Sequence, residues 1–203
     1  MKFIKENYKK AFLYLKNNLY KIIIICSILF ILCMIFGIIF GYKYSDITEQ
    51  ILKGFIEGKS DIISDTGNIN ALLLIKNNIV ACCVSIILGF FPFIFLTILT
   101  LSLNGFLVGV TLGFGQTIYN MSIIKIFVFG ILPHGIFEIP SLVISMAMGL
   151  YLCLNITKKI IGKSCEKIFI ILIEYIRIFI CVILPLLIIA GFVESYITPM
   201  LIK

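Results

Sequence analysis

The chain has 203 residues, of which 61% are hydrophobic and only 13% are charged, and its formal net charge is +7. This composition excludes an ordinary soluble domain and indicates an integral membrane protein, so one partner of the chain is the lipid bilayer. The basic excess does not indicate a nucleic-acid partner, because the lysines lie between long apolar runs and form no continuous basic surface.

Four apolar runs along the chain are long enough for transmembrane helices, and one of them is long enough for two. A helix that crosses the hydrocarbon core needs about 20 mostly apolar residues. The stretch from 79 to 115 would be roughly 55 Å long as one helix, so it must fold back, and we place its turn at 97–102. The sequence therefore predicts an all-α bundle with spans at residues 22–42, 77–97, 101–116, 123–155 and 168–193.

Charge asymmetry predicts how this bundle is oriented. Lysine-rich segments mark the cytoplasmic side of membrane proteins, and both 1–21 and 156–167 are rich in lysine. The segment 43–76 carries five acidic residues against four lysines, which favours the extracytoplasmic side for it and for the tail 194–203. We expect a single integral membrane domain over 1–203, in the cell membrane, with a cytoplasmic amino terminus.

A short helix is predicted within the extracytoplasmic segment. Asp46 is a suitable cap, and Ile47, Ile51 and Phe55 repeat at helical spacing before Gly58 ends the pattern. Such a helix would lie on the outer leaflet or against a partner. A solvated linker is the alternative interpretation.

The stretch ILPHGIFEIP, residues 131–140, contains the only histidine of the chain within an apolar run. Pro133 and Pro140 have no amide hydrogen to donate, and each disfavours helical angles at the preceding residue. The fourth span is therefore predicted to be broken at the Pro-His-Gly motif. In lipid the freed backbone groups need polar partners, and His134 and Glu138 are suitable because residues four apart share a helix face.

The third span contains a tandem small-residue repeat that begins beside Asn104. Small residues at this spacing let two helix backbones approach closely in lipid. We expect the repeat to pack on a small-residue face of the fourth span, which would bring Asn104 near the predicted break; a homodimer contact is the alternative. The residues are Gly105, Gly109 and Gly113 on the third span and Ser141, Ser145 and Gly149 on the fourth.

The last span carries a charge pair, Glu174 and Arg177, three residues apart on one face. Charged residues inside a membrane usually face the bundle interior and pair with each other or with a buried partner. The alternative is that Arg177 extends its charge to the interface and that both residues serve only as topology signals.

The residues do not indicate an enzyme or a metal site. A zinc protease motif of the HExxH type needs two imidazoles, and the chain has one histidine. No feature marks a serine such as Ser102, Ser141 or Ser145 as a nucleophile activated by His134. We therefore predict no catalytic residues, no cofactor and no metal. A small-solute or ion transporter is the alternative function, because carriers also build sites at broken helices with ionisable residues.

Two motifs resemble the stage II sporulation protein M family: NGFLVG in the third span and ILPHGIFEIPSLVISMAMGL in the fourth. The resemblance covers nearly the whole chain, and Ser141 departs from it where alanine is more usual. The matching residues are Asn104, Gly105, Pro133, His134, Gly135, Phe137 and Glu138.

The resemblance implies a non-enzymatic membrane scaffold of endospore-forming bacteria. In that family the protein acts in engulfment of the forespore and recruits two peptidoglycan-degrading partners, stage II sporulation proteins D and P, to the septum. The expected location is then the cell membrane at the sporulation septum, and a homo-oligomer is compatible with this role.

Overall fold

The computed structural model describes residues 2–57, 70–119 and 121–201, and within these ranges every regular element is a helix. Five of the helices are long and apolar enough to cross a bilayer, which confirms the predicted all-helical membrane fold. In chain order the helices are α1 (Lys2–Lys43), α2 (Ser45–Glu57), α3 (Ala71–Phe90), α4 (Leu96–Tyr119), α5 (Ile123–Ile160) and α6 (Ile168–Leu201).

The basic amino-terminal segment and the first span are one helix. α1 runs from Lys2 to Lys43, with a π-helical turn at Leu15–Leu19. A helix of 42 residues is roughly 63 Å long, about twice the thickness of the hydrocarbon core. Part of α1 must therefore extend beyond the hydrocarbon, and the lysine-rich first half is the part suited to do so.

The sequence predicts a kink or a short unwound stretch at the Pro-His-Gly motif, and the unwound stretch is wrong because α5 remains helical there. A π-helical turn, Phe127–Ile131, precedes Pro133, and the helix continues through Pro140 to Ile160. A π turn accommodates one extra residue, and such local adjustments let proline remain in membrane helices. The loss of one backbone hydrogen bond at a proline therefore does not end this helix.

The same arrangement of π turn and proline occurs twice in α6. The turns Phe179–Ile183 and Val193–Ile197 are each followed, two residues later, by Pro185 and Pro199. Three of the five prolines of the chain thus stand at the same distance after a π turn. The helices absorb these prolines without ending.

The turn between the second and third spans lies at residues 91–95, before the position 97–102 that the sequence predicted. Pro92 interrupts the helix there, and Phe93 adopts a left-handed conformation with φ of 67°. For a residue with a Cβ this conformation costs roughly 1–2 kcal/mol. The backbone N–H of Phe93 donates to Oγ1 of Thr157 at 3.3 Å, a contact with α5 that helps to hold the turn.

α5 lies at the centre of the bundle and contacts α1, α3, α4 and α6. Its Met146 and Met148 are fully buried. On the small-residue face of α5, a Cβ added at Gly149 would overlap the carbonyl oxygen of Ser85, and one added at Gly89 would overlap the carbonyl oxygen of Gly149. The small face of α5 is therefore covered by the end of α3.

The glycine repeat of α4 packs on α1 and not on α5, so the predicted pairing of the third and fourth spans is wrong. The α1–α4 contact is the most extensive one between helices in the described part of the chain. Glycines of both helices fit against carbonyl oxygens of the other, and an added Cβ would overlap those atoms. The opposed pairs are Gly105 with Phe30, Gly109 with Met34, Gly113 with Ile38, Gly37 with Phe106 and Gly41 with Val110.

The reason for this pairing is that α1 also carries glycine at a spacing of four residues, at Gly37 and Gly41, which sequence reasoning overlooked. Two such faces interlock, since each glycine makes room for the backbone of the partner helix. The glycine face of α4 is occupied within the chain, and it is not available for the homodimer contact considered from the sequence.

The short helix predicted after the first span is present as α2, Ser45–Glu57, so the linker interpretation is wrong. Thr48 is fully buried, whereas Ile47 is half exposed. α2 packs against α1 and α4, which holds it at the end of the interlocked helix pair. The side chain of Phe55 and residues 58–69 lie outside the described part of the chain.

Candidate functional site

His134 and Glu138 lie one helical turn apart on α5, and both side chains are partly buried. The structure adds a third ionisable residue, Glu194 of α6. One ligand atom from each of the three residues lies within 4.8 Å of the other two, and His134 Nε2 is 4.0 Å from Glu194 Oε2. The three residues are called the His-Glu cluster below.

Thr198 supports the histidine of the His-Glu cluster from α6. His134 Nδ1 lies 3.3 Å from Oγ1 of Thr198. The Thr198 hydroxyl donates to the carbonyl oxygen of Val193 at 3.3 Å, within the last π turn of α6. The imidazole of α5 is thus within hydrogen-bond distance of α6 at Nδ1, and its Nε2 faces the carboxylate of Glu194.

Glu138 also lines a cavity of about 230 Å³ at the junction of α3, α4, α5 and α6. The other polar side chains in its wall are the amides of Asn77, Asn78 and Asn104. Asn104, expected from the sequence to lie near the Pro-His-Gly motif, therefore shares a cavity with Glu138. The space is called the asparagine cavity below.

The amide of Asn78 is the unsatisfied group in the wall of the asparagine cavity. Asn78 is 9% exposed, and within the described residues its Nδ2 has no hydrogen-bond partner. A buried donor without an acceptor costs about 1–3 kcal/mol. The cavity is therefore suited to water or to a small ligand that accepts a hydrogen bond.

The other residues of the Pro-His-Gly motif have packing roles. A Cβ at Gly135 would come within 3.3 Å of the side chain of Ile131, so a larger residue would require that side chain to shift. The carbonyl oxygen of Phe137 accepts the hydroxyl of Ser141 at 2.8 Å, and Pro140 is exposed at the surface of the bundle. These contacts position the helix turn that carries the two ionisable residues.

Glu174 and Arg177 form an ion pair on α6, at some distance along the helix from the His-Glu cluster. Arg177 Nε also donates to Oδ1 of Asn7 at 3.2 Å, which links α6 to the start of α1. Both charged side chains are about four-fifths buried. The pair joins two helices that the sequence did not connect.

A second polar contact holds the loop between α5 and α6. The hydroxyls of Tyr14 and Tyr151 donate to Oε2 of Glu166 at 2.8 and 2.9 Å, and the backbone N–H of Glu166 donates to Oδ1 of Asn155 at 3.2 Å. The lysine-rich loop is thus attached to α1 and α5. Sequence reasoning treated Glu166 only as a charge in a basic segment.

Sequence reasoning missed Glu194, Thr198 and Asn78. The last apolar run ends at residue 193, which predicts that Glu194 and Thr198 lie in an extracytoplasmic tail. α6 continues through Glu194 and Thr198 to Leu201, and the π turns that precede its prolines are visible only in the structure. Asn78 lies within an apolar run of the sequence, and an uncharged amide there does not indicate that its side chain is buried.

The chain is similar to one described protein family and to two archaeal proteins. The model of the family described as stage II sporulation protein M matches residues 7–199. Two uncharacterized proteins of Methanocaldococcus jannaschii are similar over most of their length. One is 28% identical over 88% of this chain and 81% of its own, and the other is 31% identical over 87% of this chain and 93% of its own. No solved structure matches.

Proposed function

The chain belongs to the stage II sporulation protein M family, and we propose on that premise that it is a non-enzymatic membrane scaffold. Its partners are peptidoglycan-degrading enzymes, stage II sporulation proteins D and P, which it recruits to the septum for engulfment of the forespore. This role needs a rigid frame in the membrane and a surface that the partners reach from outside.

The observation that carries the proposal is the interlocked contact between α1 and α4 with α2 attached to it. The contact brings the two backbones together along three α4 glycines, so this part of the bundle has little freedom to slide. α2 begins at Ser45, directly after α1 ends at Lys43. It presents exposed Ile47 on the side predicted to be extracytoplasmic.

The non-enzymatic part of the proposal is supported by the serines near the Pro-His-Gly motif. The hydroxyl of Ser141 donates to the carbonyl of Phe137, and that of Ser145 donates to the carbonyl of Ser141. These hydroxyls donate to the backbone of their own helix. A serine nucleophile would instead have to face the base His134.

Photocrosslinking from α2 tests the scaffold proposal. A photoreactive amino acid at Ile47 is introduced into the full chain in sporulating cells of an endospore-forming host, and the same amino acid at Lys163, in the loop between α5 and α6, is the matched control. We expect peptidoglycan hydrolases among the products crosslinked from position 47, and none from position 163.

Two outcomes would contradict the scaffold proposal. One is the absence of hydrolases from the position 47 products although the variant supports engulfment. The other is normal septal localisation of the hydrolases in cells that lack this chain. Either result would mean that the partners are recruited without contact to α2.

The asparagine cavity favours a second candidate function, a subunit for transport of a small solute or ion. Its specific support is that the buried donor of Asn78 and the carboxyl group of Glu138 line the same cavity between four helices. Glu138→Gln in liposomes separates the two functions. If liposomes with the natural chain take up a solute and those with Glu138→Gln do not, transport is favoured. If neither chain supports uptake and the hydrolases are still recruited in cells, the scaffold is favoured.

A further inference from the structure

The His-Glu cluster places three metal-binding side chains at one point between α5 and α6. The ligand atoms of His134, Glu138 and Glu194 lie within 4.8 Å of one another, and all three residues are partly buried. Both helices belong to the set long and apolar enough to cross a bilayer. Two carboxylates so close together in such helices repel each other unless a proton or a cation lies between them.

Thr198 lies within hydrogen-bond distance of both the imidazole and the backbone of α6. Its hydroxyl is 3.3 Å from the carbonyl oxygen of Val193 and can donate its single proton there. In that arrangement the Thr198 oxygen accepts from His134 Nδ1, and the tautomer of the neutral ring that fits it has the lone pair on Nε2.

In this tautomer the lone pair of His134 Nε2 faces Oε2 of Glu194. The two atoms are 4.0 Å apart, which is too long for a hydrogen bond but leaves room for a cation that both atoms bind. The arrangement in which a ligating histidine donates its other N–H to a nearby oxygen is common in protein metal sites.

We propose that Nε2 of His134 and the carboxylates of Glu138 and Glu194 bind one divalent transition-metal cation. Three atoms at most 4.8 Å apart can share a central ion at roughly 2.8 Å or less, and side-chain shifts below about 1 Å would bring them to the 2.0–2.2 Å of a bound metal. One imidazole with two carboxylates suits Mn²⁺, Fe²⁺ or Zn²⁺ better than Ca²⁺ or Mg²⁺, which prefer oxygen ligands alone.

This site revises the prediction that the chain has no metal. A zinc site with two imidazoles is excluded by the single histidine, but a set of one histidine and two glutamates forms only when α6 brings Glu194 to α5. A metal here would link α5 to the end of α6, 56 residues further along the chain from Glu138 to Glu194. The proposal does not depend on the scaffold function.

Metal binding to the purified full-length chain tests the site. Mn²⁺ is the probe because the seven cysteines of the chain bind Zn²⁺ readily but have little preference for Mn²⁺. Protein in detergent micelles is first treated with a chelator and then dialysed against Mn²⁺. We expect one tightly bound Mn²⁺ per chain, with electron paramagnetic resonance showing coupling to an imidazole nitrogen.

Three variants locate the ion. His134→Gln should abolish the nitrogen coupling, and Glu194→Gln should weaken Mn²⁺ binding at least tenfold. Thr198→Val keeps all three ligands and removes only the support of the imidazole, so it should weaken binding about tenfold. Glu49→Gln, on the exposed surface of α2, is the matched control and should bind as the natural chain does.

Circular dichroism shows which variants keep the helical fold. Thr198→Val is expected to keep it even if the variants of the ligand residues do not. Co²⁺, followed by its visible absorption, is the second probe. Failure of the natural chain to bind either ion, or equal binding by the natural chain and Glu194→Gln, would overturn the proposal. A cluster that binds only protons would give the first of these results.

Discussion

At the scale of single residues, the charge pair of α6 shows how a membrane helix bundle holds an arginine. Arg177 is the only arginine of the chain, and it contacts both Glu174 and Asn7. Removing one partner of a buried ion pair leaves the other charge uncompensated, and this costs more than the pair contributes when intact. The contact with Asn7 means that α1 also depends on Arg177.

Arg177→Met should lower the free energy of unfolding by about 3 kcal/mol, because it leaves the carboxylate of Glu174 buried without its cation. The double variant with Glu174→Gln should recover most of this loss. Unfolding by titration with a denaturing detergent, followed by circular dichroism, measures both values.

Lys10→Met is the matched control, since it removes a lysine from an ion pair with Glu6 in which both side chains are more than half exposed. Such a pair contributes at most about 1 kcal/mol. If Arg177→Met costs no more than Lys10→Met, Arg177 is a topology signal at the interface and the pair has no structural role.

At the scale of helices, the interlocking of α1 and α4 depends on the absence of side chains. Apolar side chains do not drive helices together in lipid, because lipid tails are equally apolar. Close backbone approach therefore supplies much of the attraction, and each glycine is a point where a side chain would hold the helices apart. Gly109 is the tightest of these points, since an added Cβ would overlap the carbonyl group of Met34.

Gly109→Ala should destabilise the bundle by about 1–3 kcal/mol through overpacking against α1. Gly54→Ala in α2 is the matched control, because nothing lies within 4 Å of a Cβ added there, and it should stabilise its helix by about 0.5–1 kcal/mol. The free energies of unfolding of the two variants measure the difference. Equal effects of the same sign would show that α1 and α4 are not held by backbone contact.

At the scale of the whole molecule, the five long helices place the turn at 91–95 and the loop between α5 and α6 at one end of the bundle. The last residues of α1 and the start of α3 lie at the other. The lysines of the α5–α6 loop predict that its end is cytoplasmic. α2 and the His-Glu cluster are then nearer the outside.

Cysteine labelling in intact cells tests this orientation. Gln50→Cys, in a chain that also carries Cys165→Ser, should react with a membrane-impermeant maleimide added outside, because Gln50 is exposed on α2. The natural Cys165, in the α5–α6 loop, should react only after the cells are made permeable. The reverse pattern would place the amino terminus outside and contradict the positive-inside reasoning.

The sequence alone determined that the chain lies in a lipid bilayer, that it is helical, and that the Pro-His-Gly motif lies within a membrane span. Long apolar runs have one stable form in lipid, the helix, because every backbone polar group must be paired within the chain. The helix α2 followed from its apolar spacing, and the facing of His134 and Glu138 followed from their separation by four residues. These features are local, and local spacing is what a sequence records.

The tertiary structure decided which helices pair and which residues complete the site. Several helices offer small-residue faces, and since lipid favours none of them, the sequence could not show that the glycine face of α4 packs on the face of α1 that carries Gly37 and Gly41. Likewise, Glu194 and Thr198 reach His134 only because α5 and α6 pack together along their length. Such contacts join residues 60 or more positions apart, and their physical cause is the complementarity of whole helix surfaces.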